Sequence, residues 1–182
     1  MSFNHFDDQG QAIMVDISAK SPTLRTAVVE AVVTMKPETL AAILEGRVTK
    51  GDVLGVARLA GIAAAKKTPD LIPLSHPLAI HHAAIDFDTD AAAGTIRVRS
   101  TVRALERTGM EMEAMVSASV AALTIYDMCK GTEKGITIGP VRLLFKEGGK
   151  SGTYQADVVR EHFRREPTCS SVISPSGSAP RH

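Results

Sequence analysis

The spacing of hydrophobic positions changes along the chain, and each change marks an element. Thr23 to Met35 alternates, with Arg25, Ala27, Val29, Ala31 and Val33 on one side, which predicts a strand with one face in the core. Ala12 to Ile17 reads as a shorter strand before it. Pro37 stands where helices begin, and Glu38 to Leu44 reads as a short helix stopped by Gly46. Asp52 to Lys67 reads as a second, alanine-rich helix with Asp52 as its cap. Leu71 to Leu78 is a loop stiffened by Pro73 and Pro77. Ala79 to Phe87 and Thr95 to Leu105 read as two strands joined at Gly94. Ile136 to Phe145 is the last strand, in which Pro140 predicts an edge or a bulge.

Between the last two strands, Gly109 to Lys130 carries acids Glu111 and Glu113 at its start and Asp127 with Lys130 at its end. Ala114 to Tyr126 has no charge, which predicts a helix buried on most sides. Charges at the ends of such a rod are costly unless paired or used, so these four residues are the first candidates for a site. The order β-β-α-α-β-β-α-β predicts an α+β fold, an antiparallel sheet packed on helices. The pattern decays after about Lys146. Residues 1–155 read as one folded domain, the one that carries the candidate catalytic residues, and 156–182, rich in Ser, Gly, Pro and Thr towards their end, as a disordered tail.

Composition narrows the function classes. A net charge of +1 over 182 residues argues against general nucleic-acid binding, but permits a local basic pocket for one small anion. Hydrophobic residues are 44% and aromatics 4%, so the core is aliphatic. Cys129 and Cys169 form no CxxC pair, the N-terminus lacks a secretory pattern and no apolar run could span a bilayer; a cytoplasmic protein without membrane association is expected.

The candidate chemistry has mundane competitors. Glu111 and Glu113 share a face if extended; at a helix N-terminus they would be dipole-favoured acids. Asp127 and Lys130, three apart on a helix, are either an enclosed acid–base pair or an ordinary helix-end ion pair. His76, between two prolines, has a preset backbone and suits a site wall; the competing reading is a core histidine bonded to a carbonyl. His81 and His82 face opposite sides of a strand, so no metal site is expected. Gly148-Gly-Lys-Ser-Gly152 lacks the first glycine of a phosphate-binding loop and reads as a turn. Lys50, before a helix N-terminus, could receive an anion.

Several segments together resemble the MoaC family, the cyclic pyranopterin monophosphate synthases of molybdenum cofactor biosynthesis. They are Met14-Val-Asp16, Lys50-Gly-Asp-Val53, Ala57-Arg-Leu-Ala-Gly61, Leu71-Ile-Pro-Leu-Ser-His-Pro77, Thr108-Gly-Met-Glu-Met-Glu-Ala114, Ala121-Ala-Leu-Thr-Ile-Tyr-Asp-Met-Cys-Lys130, Ile138-Gly-Pro-Val-Arg142 and Gly148-Gly-Lys-Ser-Gly152. The resemblance implies a ferredoxin-like fold and a purine-derived triphosphate substrate, 3′,8-cyclo-7,8-dihydroguanosine 5′-triphosphate. It implies no required cofactor, with Mg²⁺ compatible with the triphosphate. It also implies a homohexamer, a trimer of dimers with sites at the dimer interface. Carried over by position, Asp127, Lys50 and Lys130 match catalytic residues. Leu74, Ser75, His76, Met112 and Glu113 match substrate contacts, and Arg25, Glu111 and Lys146 match further pocket positions. Ser75 stands where the family usually has Cys, which puts any sulfur chemistry there in doubt. The competing classes are a non-catalytic nucleotide- or RNA-binding ferredoxin-like module, which would need exposed strand aromatics (Phe87 is the main candidate), and a metal hydrolase using the histidines.

Overall fold

The structure is a computed structural model and describes residue 7 and residues 9–157. The strands are β1 (Thr23–Thr34), β2 (His82–Asp90), β3 (Thr95–Glu106), β4 (Thr137–Glu147) and β5 (Tyr154–Gln155). The helices are α1 (Pro37–Leu44), α2 (Val53–Ala65), the single turn α3 (Thr68–Leu71) and α4 (Glu111–Cys129). The sheet is antiparallel with order β2-β3-β1-β4-β5. With α2 and α4 as the two crossover helices, this is the ferredoxin-like arrangement of a split β-α-β repeat.

Alternation makes the sheet one-sided, as the pattern predicts. Ala27, Val29, Ala31 and Val33 of β1 are fully buried, and so are Ile96, Val98, Val102 and Ala104 of β3. The predicted Gly94 turn and the Asp52 cap both form; Asp52 Oδ1 accepts from the Gly55 N–H at 2.8 Å. Pro140 marks a bulge, since the β1–β4 register slips between Ala31 and Val33 opposite it.

Two expectations change. Ala12 to Ile17 is not a strand: only Ala12 makes an isolated bridge, and the segment runs as a strap towards the loop at His76. A strand needs a neighbour with a free edge, and here the Val15 carbonyl is taken by a histidine ring instead. Helix α4 is not buried on most sides either. Ala114, Ser117, Ala118, Ala121, Ala122 and Ile125 are sealed against the sheet and α2, whereas Met112 and Leu123 are exposed and Val116 and Val120 half-buried. Its missing polar stripe therefore marks an uncovered apolar face. Almost all of the expected tail lies outside the described residues.

The two helices approach closely because their facing side chains are small. A Cβ on Gly61 would stand 2.9 Å from the Ser117 carbonyl oxygen and 2.8 Å from Ile85 Cδ1. This contact sets the position of α4, and α4 carries candidate residues at both its ends.

Candidate active site

One group of candidates lies at the start of α4. Glu111 and Glu113 occupy its first turn, so the extended placement gives way to the helical one. They diverge around the helix: Glu113 is 2% exposed, while Glu111 is only partly covered. A cleft of about 440 Å³ opens here, lined by Leu74, Ser75, His76, Glu111, Met112 and Glu113 together with Val15, Ile17, Lys20, Leu78, Thr108 and Gly109. Neither carboxylate oxygen of Glu113 has a hydrogen-bond partner among the described residues. Burial, with a smaller push from the neighbouring Glu111 charge, raises its carboxyl to about 6. A buried carboxyl left unpaired beside a cleft is poised to bond a ligand.

His76 is half-buried, so it is not a core histidine, although the expected bond to a carbonyl forms. It lines the cleft, and its Nε2 lies 2.8 Å from the Val15 carbonyl oxygen. A carbonyl can only accept, so Nε2 carries the proton and, in the neutral ring, Nδ1 is left as an acceptor. The strap residues Val15, Ile17 and Lys20 that wall the cleft are not among the site candidates read from the sequence, and the signal for them is the Met14-Val-Asp16 motif within the segment read as a strand.

Arg25 and Lys146 border this end of the fold. Arg25 donates through Nε to the Glu106 carbonyl at 3.2 Å and through Nη2 to that of Arg107 at 3.4 Å, beside the cleft residue Thr108. Lys146 stands opposite Ala27 in the β1–β4 ladder, on the helix side, and donates to Ser151 Oγ. The glycine-rich segment is a turn, as read. Gly149 has φ +75°, and a side chain there would strike the Arg25 guanidinium.

The second group lies at the far end of α4. Lys130 Nζ is 2.7 Å from Asp127 Oδ1, and Lys50 Nζ is 3.0 Å from Oδ2 and 2.8 Å from the Asp127 carbonyl oxygen. The Lys130 ammonium, then that of Lys50, holds the Asp127 carboxyl below its usual range, and Asp127 in turn pushes the Lys130 amine up. The expected enclosure is absent within one chain: the side chains of Lys50, Asp127 and Lys130 are 45%, 55% and 53% exposed. They lie on the exposed flank that continues the uncovered apolar stripe of α4, and a burial estimate from the sequence could not separate a face turned to the core from one turned outward.

The competing classes find little support. Phe87 packs against the core on the helix side, with the Arg58 guanidinium 5.3 Å from its ring centre, and is not a stacking platform on the open sheet face. His81 accepts weakly from the Leu105 N–H at 3.4 Å while His76 is turned to Val15, so these rings do not converge.

Comparison with known proteins gives the family of the chain. The MoaC family matches residues 14–149. A cyclic pyranopterin monophosphate synthase of Geobacter sulfurreducens is 79% identical over 157 residues, 86% of this chain and 98% of the relative. The protein of that name from Geotalea uraniireducens is 76% identical over 160 residues, 88% of this chain and 100% of the relative. A more distant one, from Roseiflexus sp., is 52% identical over 153 residues, 84% of this chain and 97% of the relative. The match runs from the strap at Met14 through both ends of α4 to the glycine turn, and the chain belongs to the MoaC family.

Proposed function

We propose that the protein is a cyclic pyranopterin monophosphate synthase of molybdenum cofactor biosynthesis. It takes 3′,8-cyclo-7,8-dihydroguanosine 5′-triphosphate and rearranges its ring system. A sugar hydroxyl of the substrate then attacks the α-phosphate, the bond to the β-phosphate side breaks, and pyrophosphate leaves. The nucleophile belongs to the substrate and water is not consumed, so the reaction is that of a phosphorus–oxygen lyase. Mg²⁺ would accompany the triphosphate. The reaction is placed in the cytoplasm; among the described residues no helix is long and apolar enough to cross a membrane.

The observation that carries this reading is the sorting of the family-matched residues into two chemically distinct clusters at opposite ends of one helix. Asp127 and Lys130 supply proton transfer during ring opening and closure. Lys50, with Arg25 and Lys146, holds the phosphates and stabilises departing pyrophosphate. His76 and Glu113 position the base and sugar, Glu113 through a carboxyl that changes protonation near pH 6.

We further propose that the working site joins the clusters of two subunits. Val120 lies midway between Glu113 and Asp127. Antiparallel pairing of two α4 helices about Val120 would cover the apolar stripe and set the acids of one chain beside the lysines of the other. Three such dimers would form the hexamer expected from the family. The test is incubation of the purified protein with the cyclised dihydro-GTP. Pyrophosphate and cyclic pyranopterin monophosphate are expected in equal amounts; unconverted substrate would overturn the reading.

A further inference from the structure

We infer that Glu133 is a positioning residue for the Lys50–Asp127–Lys130 cluster: its carboxylate caps α1 from across the fold and thereby holds the segment carrying Lys50 against the end of α4. The inference rests on the reading of that cluster as catalytic.

Helix α1 starts without a cap of its own. Its N-cap residue is Lys36, whose side chain makes no cap hydrogen bond. A lysine ammonium has only donors, so it cannot satisfy the free N–H groups of the first turn. Glu133 supplies an acceptor to the N-cap N–H and to a first-turn side chain. Its Oε2 takes the Lys36 backbone N–H at 3.0 Å and the hydroxyl of Thr39, a buried residue, at 2.7 Å.

Glu133 is fixed at its own end as well. The Thr132 and Glu133 N–H groups both donate to the Cys129 carbonyl, at 2.8 and 3.1 Å, and the Tyr126 hydroxyl donates to the Lys134 carbonyl at 3.4 Å. The carboxylate therefore projects from the turn that directly follows Lys130. From α1 the chain passes through Gly46 into a turn closed by the Gly51 N–H on the Val48 carbonyl at 3.0 Å, and this turn presents Lys50. The α1 segment is thus pinned to the end of α4 twice: through Glu133 at its start and through Lys50 on Asp127 at its finish. A lysine side chain is long and flexible and does not by itself fix the backbone from which it reaches. The Glu133 clamp sets where Lys50 Nζ can go.

The experiment separates clamping from simple helix capping. Full-length Glu133→Ala is compared with Glu133→Ala/Lys36→Ser, in which a local serine caps α1. Melting temperature is measured alongside kcat and KM on the cyclised dihydro-GTP. Glu133→Ala is expected to lower both melting temperature and kcat, the latter by about tenfold. The double variant should regain the melting temperature but not the kcat, and Glu133→Gln, which keeps an acceptor oxygen, should regain most of both. Return of kcat together with melting temperature in the double variant would make Glu133 a cap alone and overturn the inference, as would a Glu133→Ala kcat equal to wild type. Asp127→Asn is run in parallel: full turnover by that variant would instead remove the catalytic reading of the cluster, and the inference with it.

Discussion

Glu113 and Asp127 stand on the same helix, four turns apart, roughly 21 Å along its axis. One is enclosed and unpaired beside a cleft; the other is exposed between two ammonium groups. This separation along one helix is what the proposed two-subunit site would bridge, and it decides how the protein is tested.

The two-subunit site makes the first prediction. Asp127→Asn and Lys130→Ala should each lower turnover by ~100-fold or more while leaving the fold intact, as loss of a general acid or base does. Arg25→Ala, at the opposite end, should also be impaired. Mixing Arg25→Ala with Asp127→Asn chains, with subunit exchange, should restore activity, because some of the resulting sites carry neither substitution. Failure to restore activity in verified mixed oligomers, or a fully active monomer by light scattering, would contradict the shared site.

Glu113 should leave a signature in stability against pH. Its carboxyl is raised in the fold from 4.5 to about 6. The folded state therefore binds the proton more tightly than the unfolded chain, and stability falls as pH rises from about 4.5 through about 6. Above that window the charged, unpaired carboxylate costs on the order of 2 kcal/mol. Glu113→Gln should remove this slope and melt higher than wild type at pH 8, while weakening substrate binding. Denaturant titrations across the pH range check the sign: an unchanged slope would mean that Glu113 is solvated.

Ser75 stands in the wall of the cleft, at the position where the family resemblance implies a cysteine, and its hydroxyl is expected to act through shape and hydrogen bonding. Ser75→Cys should keep activity within about tenfold, ~1.4 kcal/mol in barrier. Ser75→Val should raise KM more than it lowers kcat. A gain of orders of magnitude from Ser75→Cys would show that sulfur chemistry belongs at this position and that the chain has diverged from the reaction proposed for it.

Gly61 offers a test in which local and tertiary effects oppose each other. Helix propensity alone favours Gly61→Ala by up to about 1 kcal/mol. The added methyl, however, would stand 2.9 Å from the Ser117 carbonyl oxygen, in backbone that cannot yield without moving α4. Overpacking of this kind costs about 1–3 kcal/mol, so the variant should melt lower than wild type. A higher melting temperature would mean that α2 and α4 separate easily.

Short-range patterning determined most of the architecture. The alternation from Arg25 to Val33, the Asp52 cap, the Gly94 turn and the bulge at Pro140 all follow from residues close together in the chain, because backbone geometry and side-chain period are local properties. The sequence also supplied every family-matched site residue, since motif residues need only order and identity. Tertiary structure decided the rest. It turned Ala12 to Ile17 from a strand into a strap, because strand pairing requires a neighbouring edge and the Val15 carbonyl had gone to His76. It divided the candidates between the two ends of α4 and left Asp127 exposed, because burial is a property of what packs against a helix and not of the helix's own composition. It also joined Glu133 to the start of α1, a contact between residues 97 apart in the chain. Hydrogen bonds between such distant groups depend on how the whole chain closes on itself, and no local pattern encodes that closure.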